Sequence, residues 1–371
     1  MVALTPLGRT KAMATSKRAV ADRTAADPPH REDRYNFRVV GHGVDSIKFA
    51  FREMDYESVI AAFSDSHAID FQTGEILKIE RRGKNFFLRD PHSGAQFVLT
   101  FSPGGSCLLS LEARLSALIS GSVTDRSLCD PSRVLEGANQ AVSLARRLGI
   151  ITGAPGALTV ARIDLTADLE FEDPANGQRF LAGLNTLELP HCKRRATAAA
   201  GNSLETVDWF RTGGIYARTY DKGAESRQKG RSHKETMSST IRVERQIREP
   251  KKRQLNADQV DAQLLASMYA STFRPWTIDG LTVLPVNAIA TSIISKVEQG
   301  SGSISLARAE RLIGTAHVLT EVGSHVYDKR TLSSRRNELR KLGISLDPTA
   351  TSTLNIGEIL TELIAAWERG R

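Results

Sequence analysis

The segment "ARIDLTADLEF" at residues 161–171 places polar side chains at every second position. Alternate residues of a strand leave opposite faces, so Arg162, Asp164, Thr166, Asp168 and Glu170 share one face and Ile163, Leu165, Ala167, Leu169 and Phe171 the other. "TIRVERQI" at 240–247 repeats the arrangement, with Arg242, Glu244 and Gln246 against Ile241, Val243 and Ile247. In "GIYARTYDKG", read as a third strand, Tyr216, Arg218, Tyr220 and Lys222 fall on one face. If the three strands lie in one sheet, carboxylates, phenols and a lysine meet on a single polar face. Hard cations such as Mg²⁺ or Mn²⁺ take oxygen ligands and polarise a phosphoryl oxygen, and a phenol beside them can act as a nucleophile. Any one of these strands also fits a half-solvated antiparallel strand decorated with cross-strand ion pairs.

The elements that must position these residues follow from periodicity. Residues 1–34 are rich in Ala, Thr, Arg and Pro without a sustained period and read as a flexible basic tail. From residue 35 to 254 alternation dominates: "SIKFAF", "EILKIERR", "NFFLRD", "AQFVLTFS" and "CLLSLEARL" read as strands beside the three above. Two helices interrupt them. One starts at Asp130-Pro131 and stops at Gly149; the other follows Asp173-Pro174. From 255 to 371 the period becomes helical in "SLARAERLIGTAHVLTEV", "LSSRRNELRKLG" and "NIGEILTELIAAWERG", the last with Asn355 and Glu358 spaced as a capping box. The expected fold is α+β: an antiparallel β-sheet catalytic core with flanking helices, then a smaller α-helical C-terminal region.

Composition narrows the partners. A net charge of +8 and a pI near 9.5 favour a polyanion. No apolar run reaches the length of a membrane span and no secretory signal is evident, so a cytoplasmic protein with no membrane partner is expected. Cys107, Cys129 and Cys192 lack the CxxC spacing of a zinc site and suggest no disulfide framework. His42, His67, His92, His191 and His233 are isolated, which disfavours a two-histidine metal site and leaves an all-carboxylate one. "GAPGAL" at 153–158 lacks the Lys-Ser/Thr of a P-loop and reads as a turn.

The ordered set "RIDLTAD", "ETVDWFRTGGIYARTYDKGAE" and "IRVERQI" resembles the filamentous-phage gene II/X replication proteins and the related Rep_trans-type rolling-circle initiators. Those proteins carry an R-[IV]-D strand, a Y-x-K-x-x-E segment and an R-x-E strand in this order. The likeness covers roughly residues 105–345. It implies Tyr220 as the nucleophile, with Tyr216 in reserve because it stands two residues away on the same strand face. It also implies Asp164 and Glu244 as metal carboxylates, with Asp168 and Glu225 as further additions, and Lys222 beside the phenol. The implied reaction is nicking and rejoining of origin DNA through a 5′-phosphotyrosyl intermediate, with Mg²⁺ or Mn²⁺ as cofactor. The implied partners are double- and single-stranded origin DNA of a phage or plasmid and the host helicase and DNA polymerase, with a dimer left open.

Basic residues flank the motifs. Arg218, Arg227, Lys229 and Arg231 lie in or after the tyrosine segment and Lys251, Lys252 and Arg253 after the Glu244 strand, where they are expected to meet DNA phosphates. The other function class is a non-catalytic origin- or single-strand-DNA-binding protein whose acidic face is structural.

Overall fold

The computed structural model describes residues 37–102, 106–185, 187, 191–198, 204–211, 214–230, 240–248, 255–277, 282–284, 286–298, 305–321, 328–342, 344–346 and 354–369. All belong to one compact unit, Asn36–Arg371, and the 1–34 tail lies outside them.

The first half of the chain runs β1 (Phe37–Phe51), α1 (Tyr56–Phe63), β2 (His67–Ile69), β3 (Ile76–Arg82), β4 (Asn85–Arg89), β5 (Gln96–Phe101) and β6 (Cys107–Arg114), then α2 (Leu115–Ser120) and α3 (Val134–Arg147). The second half runs β7 (Thr159–Phe171), α4 (Pro174–Leu184), β8 (Lys193–Ala198), β9 (Leu204–Arg211), β10 (Gly214–Asp221), α5 (Lys222–Gln228) and β11 (Thr240–Ile247). After it come α6 (Ala262–Phe273), β12 (Thr282–Leu284), α7 (Val286–Glu298), α8 (Leu306–Glu321), α9 (Lys329–Lys341), β13 (Ile344–Leu346), β14 (Leu354–Asn355) and α10 (Ile356–Arg369).

Eleven strands form one sheet in the order β2-β3-β4-β5-β6-β1-β7-β11-β10-β9-β8, and every neighbouring pair is antiparallel. The chain is therefore α+β. Strand β1 joins two meanders, pairing β6 on one side and β7 on the other, and β11 inserts between β7 and β10. All eight alternating segments appear as strands; β2, β8 and β9 are additional.

The apolar alternates face the helices. Ile163, Leu165, Ala167, Leu169, Ile241, Val243, Val207 and Trp209 are all buried. Helix α4, capped by Asp173 through the Ala175 amide, brings Phe180 to 5.8 Å from Phe171 between ring centroids. Helix α6 lays Tyr269 over β11, its hydroxyl donating to the Val243 carbonyl at 3.4 Å. Helix α10 stacks Trp367 on Tyr269 at 5.0 Å and sets it against His42 of β1 at 5.6 Å. Asp130 caps the 3₁₀ turn Pro131–Arg133 that leads into α3, and Gly149, at φ +74°, follows its end as expected. Gly43 of β1 sits at φ +152°, where an added Cβ would collide with the carbonyl of Cys129, so the turn entering α3 can bridge to β1 only past a glycine.

The C-terminal helices differ in what they pack against. Helices α6 and α10 belong to the sheet, because their large aromatic side chains cover its apolar face. Helices α7 to α9 build their own small core from Ile289, Ile293, Leu312 and Leu339 with Ile344 of β13. The Asn355 half of the capping box is present, its side chain accepting from the Glu358 amide at 3.1 Å.

Candidate active site

Directly opposed residues of antiparallel strands share a face, so the register defines the polar rows. One row reads Asp208 (β9), Arg218 (β10), Glu244 (β11) and Thr166 (β7); the next reads Thr206, Tyr220, Arg242 and Asp168. Gln246 stands opposite Asp164 in a third. The three motifs read from sequence thus meet on one face, with Tyr220 diagonal to Glu244.

Two irregularities change the membership of that face. Between Val44 and Ile47 the register with β7 slips, so Asp45 and Ser46 together oppose Asp164. This β-bulge brings Asp45 to the polar face, where it accepts from Arg242 Nη1 at 3.0 Å. Asp45 was missed by strand periodicity, because the apolar alternation begins only at Ile47 and the extra residue leaves no trace in it. A second bulge, between Ile215 and Ala217, removes Tyr216. Its ring lies between the guanidinium groups of Arg211 and Arg245, at 3.7 and 3.5 Å from its centroid. Arg211 stands two residues from Trp209 and Arg245 two from Val243 and Ile247, so both lie on the helix-facing side and the shared face expected for Tyr216 and Tyr220 is not formed.

Lys222 also differs from its expected place. Strand β10 ends at Asp221, which caps α5 through the Ala224 amide at 3.0 Å, and Lys222 is the first residue of that helix. Its ammonium still lies 5.8 Å from the Tyr220 ring centroid. Burial, and then the charge of Arg242, lower its pKa, against the opposing fields of Glu225 and Asp168.

The four carboxylates read as metal ligands separate into two kinds. Asp168 is held by Arg242, whose Nε and Nη2 each reach it at 2.7 Å. Glu225 accepts from Lys222 at 3.2 Å and Lys229 at 2.5 Å; burial alone would raise its pKa, but these lysines bring it down to about 2. Cations already bond both. Asp164 and Glu244 behave oppositely. Burial pushes the Glu244 carboxyl up, to about 8, and the charges of Asp164 and Asp45 push the same way. Burial also raises Asp164, although Arg162 grips it through Nε at 3.0 Å and through Nη2.

No group of three or more His, Cys, Asp or Glu side chains is arranged for a metal among the described residues. The oxygen donors around Glu244 are mixed instead. Gln246 Oε1 and Thr166 Oγ1 are buried without a hydrogen-bond partner in the described structure. Two carboxyls held toward their neutral form beside two unpartnered oxygens fit a hard divalent cation, whose charge would compensate what burial and repulsion leave unbalanced.

The phenol is enclosed. Tyr220 is 8% exposed, and burial followed by the field of Glu244 raises its pKa well above the usual range, with Arg242 opposing. Arg218 is half-buried and donates to Asp208 at 2.7 Å. Arg227 in α5 and Lys229 just after it are exposed. Arg231, Lys251, Lys252 and Arg253 lie outside the described residues. Comparison with protein-family models and with curated proteins finds no match to this chain.

Proposed function

We propose that the protein nicks and rejoins DNA through a phosphotyrosyl intermediate at Tyr220, as a rolling-circle replication initiator does. One observation carries this reading: Tyr220 shares a sheet face with the Asp164/Glu244 pair and stands directly opposite Arg242.

Tyr220 Oη attacks the phosphorus of one phosphodiester. The bond from phosphorus to O3′ breaks, a tyrosyl–phosphate bond forms to the 5′ side, and the departing O3′ takes up a proton. Lys222, whose ammonium is made more acidic by burial, is placed to exchange that proton at the phenol. Arg242 faces the phenol and offsets negative charge developing there. Asp164 and Glu244, with Gln246 Oε1 and Thr166 Oγ1, would hold Mg²⁺ or Mn²⁺, which supplies positive charge to the phosphoryl oxygens. Rejoining is the same exchange reversed, with a 3′-hydroxyl attacking the phosphotyrosine, and it needs no nucleotide triphosphate because bond energy is retained in the ester.

A non-catalytic DNA-binding protein is the second reading, favoured by the burial of Tyr220. Incubation with supercoiled or single-stranded replicon DNA and Mn²⁺, followed by a denaturing gel, separates the two. The nicking reading expects a covalent adduct that Tyr220→Phe abolishes and Tyr216→Phe retains. An adduct undiminished in Tyr220→Phe, or none in the wild type, ends it.

A further inference from the structure

The polar face continues past the carboxylates into the first meander. Arg162 of β7 stands opposite Lys48 of β1, which opposes Glu112 of β6, then Gln96 of β5 and Arg89 of β4. At the far end of this row lies a cavity of about 300 Å³ lined by Ser46, Arg89, Gly94, Gln96, Glu112 and Arg114. That volume is at the lower end for small-ligand sites, enough for a phosphate with its sugar.

The charges in the cavity do not cancel. Its carboxylate, Glu112, is already engaged by Arg162 Nη1 at 2.9 Å and Lys48 at 3.9 Å. Asp45, the acidic neighbour whose field involves Arg114, is held by Arg242. Arg89 and Arg114 close no ion pair with a described residue, and both line the space, from the two strands that flank Gln96 of β5. Planar forks of N–H donors approaching from two sides suit the oxygens of a phosphate, and the fixed charge of arginine survives at any working pH.

Arg162 links this cavity to the site, since the same guanidinium contacts Glu112 on the cavity wall and Asp164 beside Glu244. Strand β6 and the Tyr220 strand β10 are four strand spacings apart, about 19 Å, a distance an extended DNA strand covers within a few nucleotides. We propose that the cavity is a subsite for a backbone phosphate of single-stranded DNA, and that the strand whose scissile phosphate meets Tyr220 also crosses β1 toward β5. The choice of DNA rests on the proposed function; the phosphate chemistry rests on the cavity itself.

The test is a fluorescence-anisotropy titration of the full chain with a labelled single-stranded oligodeoxynucleotide over a range of NaCl, alongside thermal melting of each variant. Arg89→Ala with Arg114→Ala is expected to lower affinity about tenfold or more, with the log–log salt slope shallower by about 0.7 for each phosphate no longer engaged. Gln96→Glu, which adds a negative charge and keeps both arginines, is expected to weaken binding in the same direction. Arg82→Ala, whose guanidinium pairs with Glu80 outside the cavity, is expected to bind as wild type. A folded double variant with wild-type affinity and slope overturns the subsite, as does a loss in Arg82→Ala equal to that of the cavity variants. Wild-type salt behaviour in the double variant with the Tyr220 adduct intact removes the subsite alone. Weakened binding in the cavity variants with no adduct in the wild type removes the nicking reading and leaves the subsite standing.

Discussion

The polar face of the sheet has an inner part on β7, β11 and β10 and an outer part on β4, β5 and β6, and the same alternation produced opposite electrostatics in them. In the inner part Asp164, Glu244 and Arg242 are nearly sealed from solvent, each at 7% exposure or less. In the outer part Arg89 is exposed and Gln96, Glu112 and Arg114 are half-buried. A charge in water interacts weakly with its neighbours, whereas a desolvated one is held or penalised by whatever lies within a few ångströms. The inner part therefore has shifted pKa values and obligatory partners. The outer part keeps its arginines available to a ligand.

The largest effect that could break this contrast is Arg242→Ala. It leaves Asp168 and Asp45 without the guanidinium that bonds them both, and a loss of about 3–5 kcal/mol in urea unfolding is expected. A loss below about 1 kcal/mol would mean that the inner charges are solvated after all.

Next in size is the pH dependence of the metal-free protein. The folded pKa of Glu244 lies above its unfolded one, so its contribution to stability is intact below about pH 4.5 and is lost as pH rises toward about 8. About 3 kcal/mol of it is gone by pH 7. Glu244→Gln should flatten that slope, and Mn²⁺ should restore wild-type stability at the alkaline end without changing the variant comparably; melting curves across pH read both. Identical slopes in wild type and variant would remove Glu244 from the strained pair.

Glu225 should titrate with the opposite sign. Its folded pKa is depressed to about 2 by two lysines, so its contribution holds above the ordinary glutamate range and disappears as pH falls from about 4.5 toward 2. With its side chain 20% exposed, the size is about 2 kcal/mol. Glu225→Gln is expected to lose that amount at neutral pH while leaving Mn²⁺ affinity in calorimetry unchanged; weakened Mn²⁺ binding would return Glu225 to the ligand set.

The smallest effect belongs to the outer part. Arg89→Ala should change stability by no more than about 0.5 kcal/mol, since an exposed arginine with no ion partner among the described residues holds no element in place. A larger loss would make the cavity part of the fold's support and erase the contrast between the two parts.

Much of the sheet was legible in the sequence by itself. The alternation in "ARIDLTADLEF" and "TIRVERQI" determined which faces of β7 and β11 are apolar, because a strand repeats every two residues and a buried face tolerates few polar groups. Asp130 and Asp173, each followed by proline, determined where two helical segments begin, since capping is a local hydrogen bond. The meeting of Asp164, Tyr220 and Glu244 on one face was legible as well, but only under the assumption of a common sheet. What the tertiary structure alone decided lies at the irregular positions and between distant strands. The β1 bulge brought Asp45 opposite Asp164, and the β10 bulge took Tyr216 away from Tyr220. One extra residue in a strand reverses the side to which its neighbours point, and it arises from the fit between two strands rather than from the composition of either. Which partner each carboxylate met across the sheet was decided the same way. Asp168 and Asp164 are alike in sequence context, yet register set Arg242 opposite the first and Gln246 opposite the second. Those pairings join residues more than 70 positions apart, beyond the reach of any local pattern.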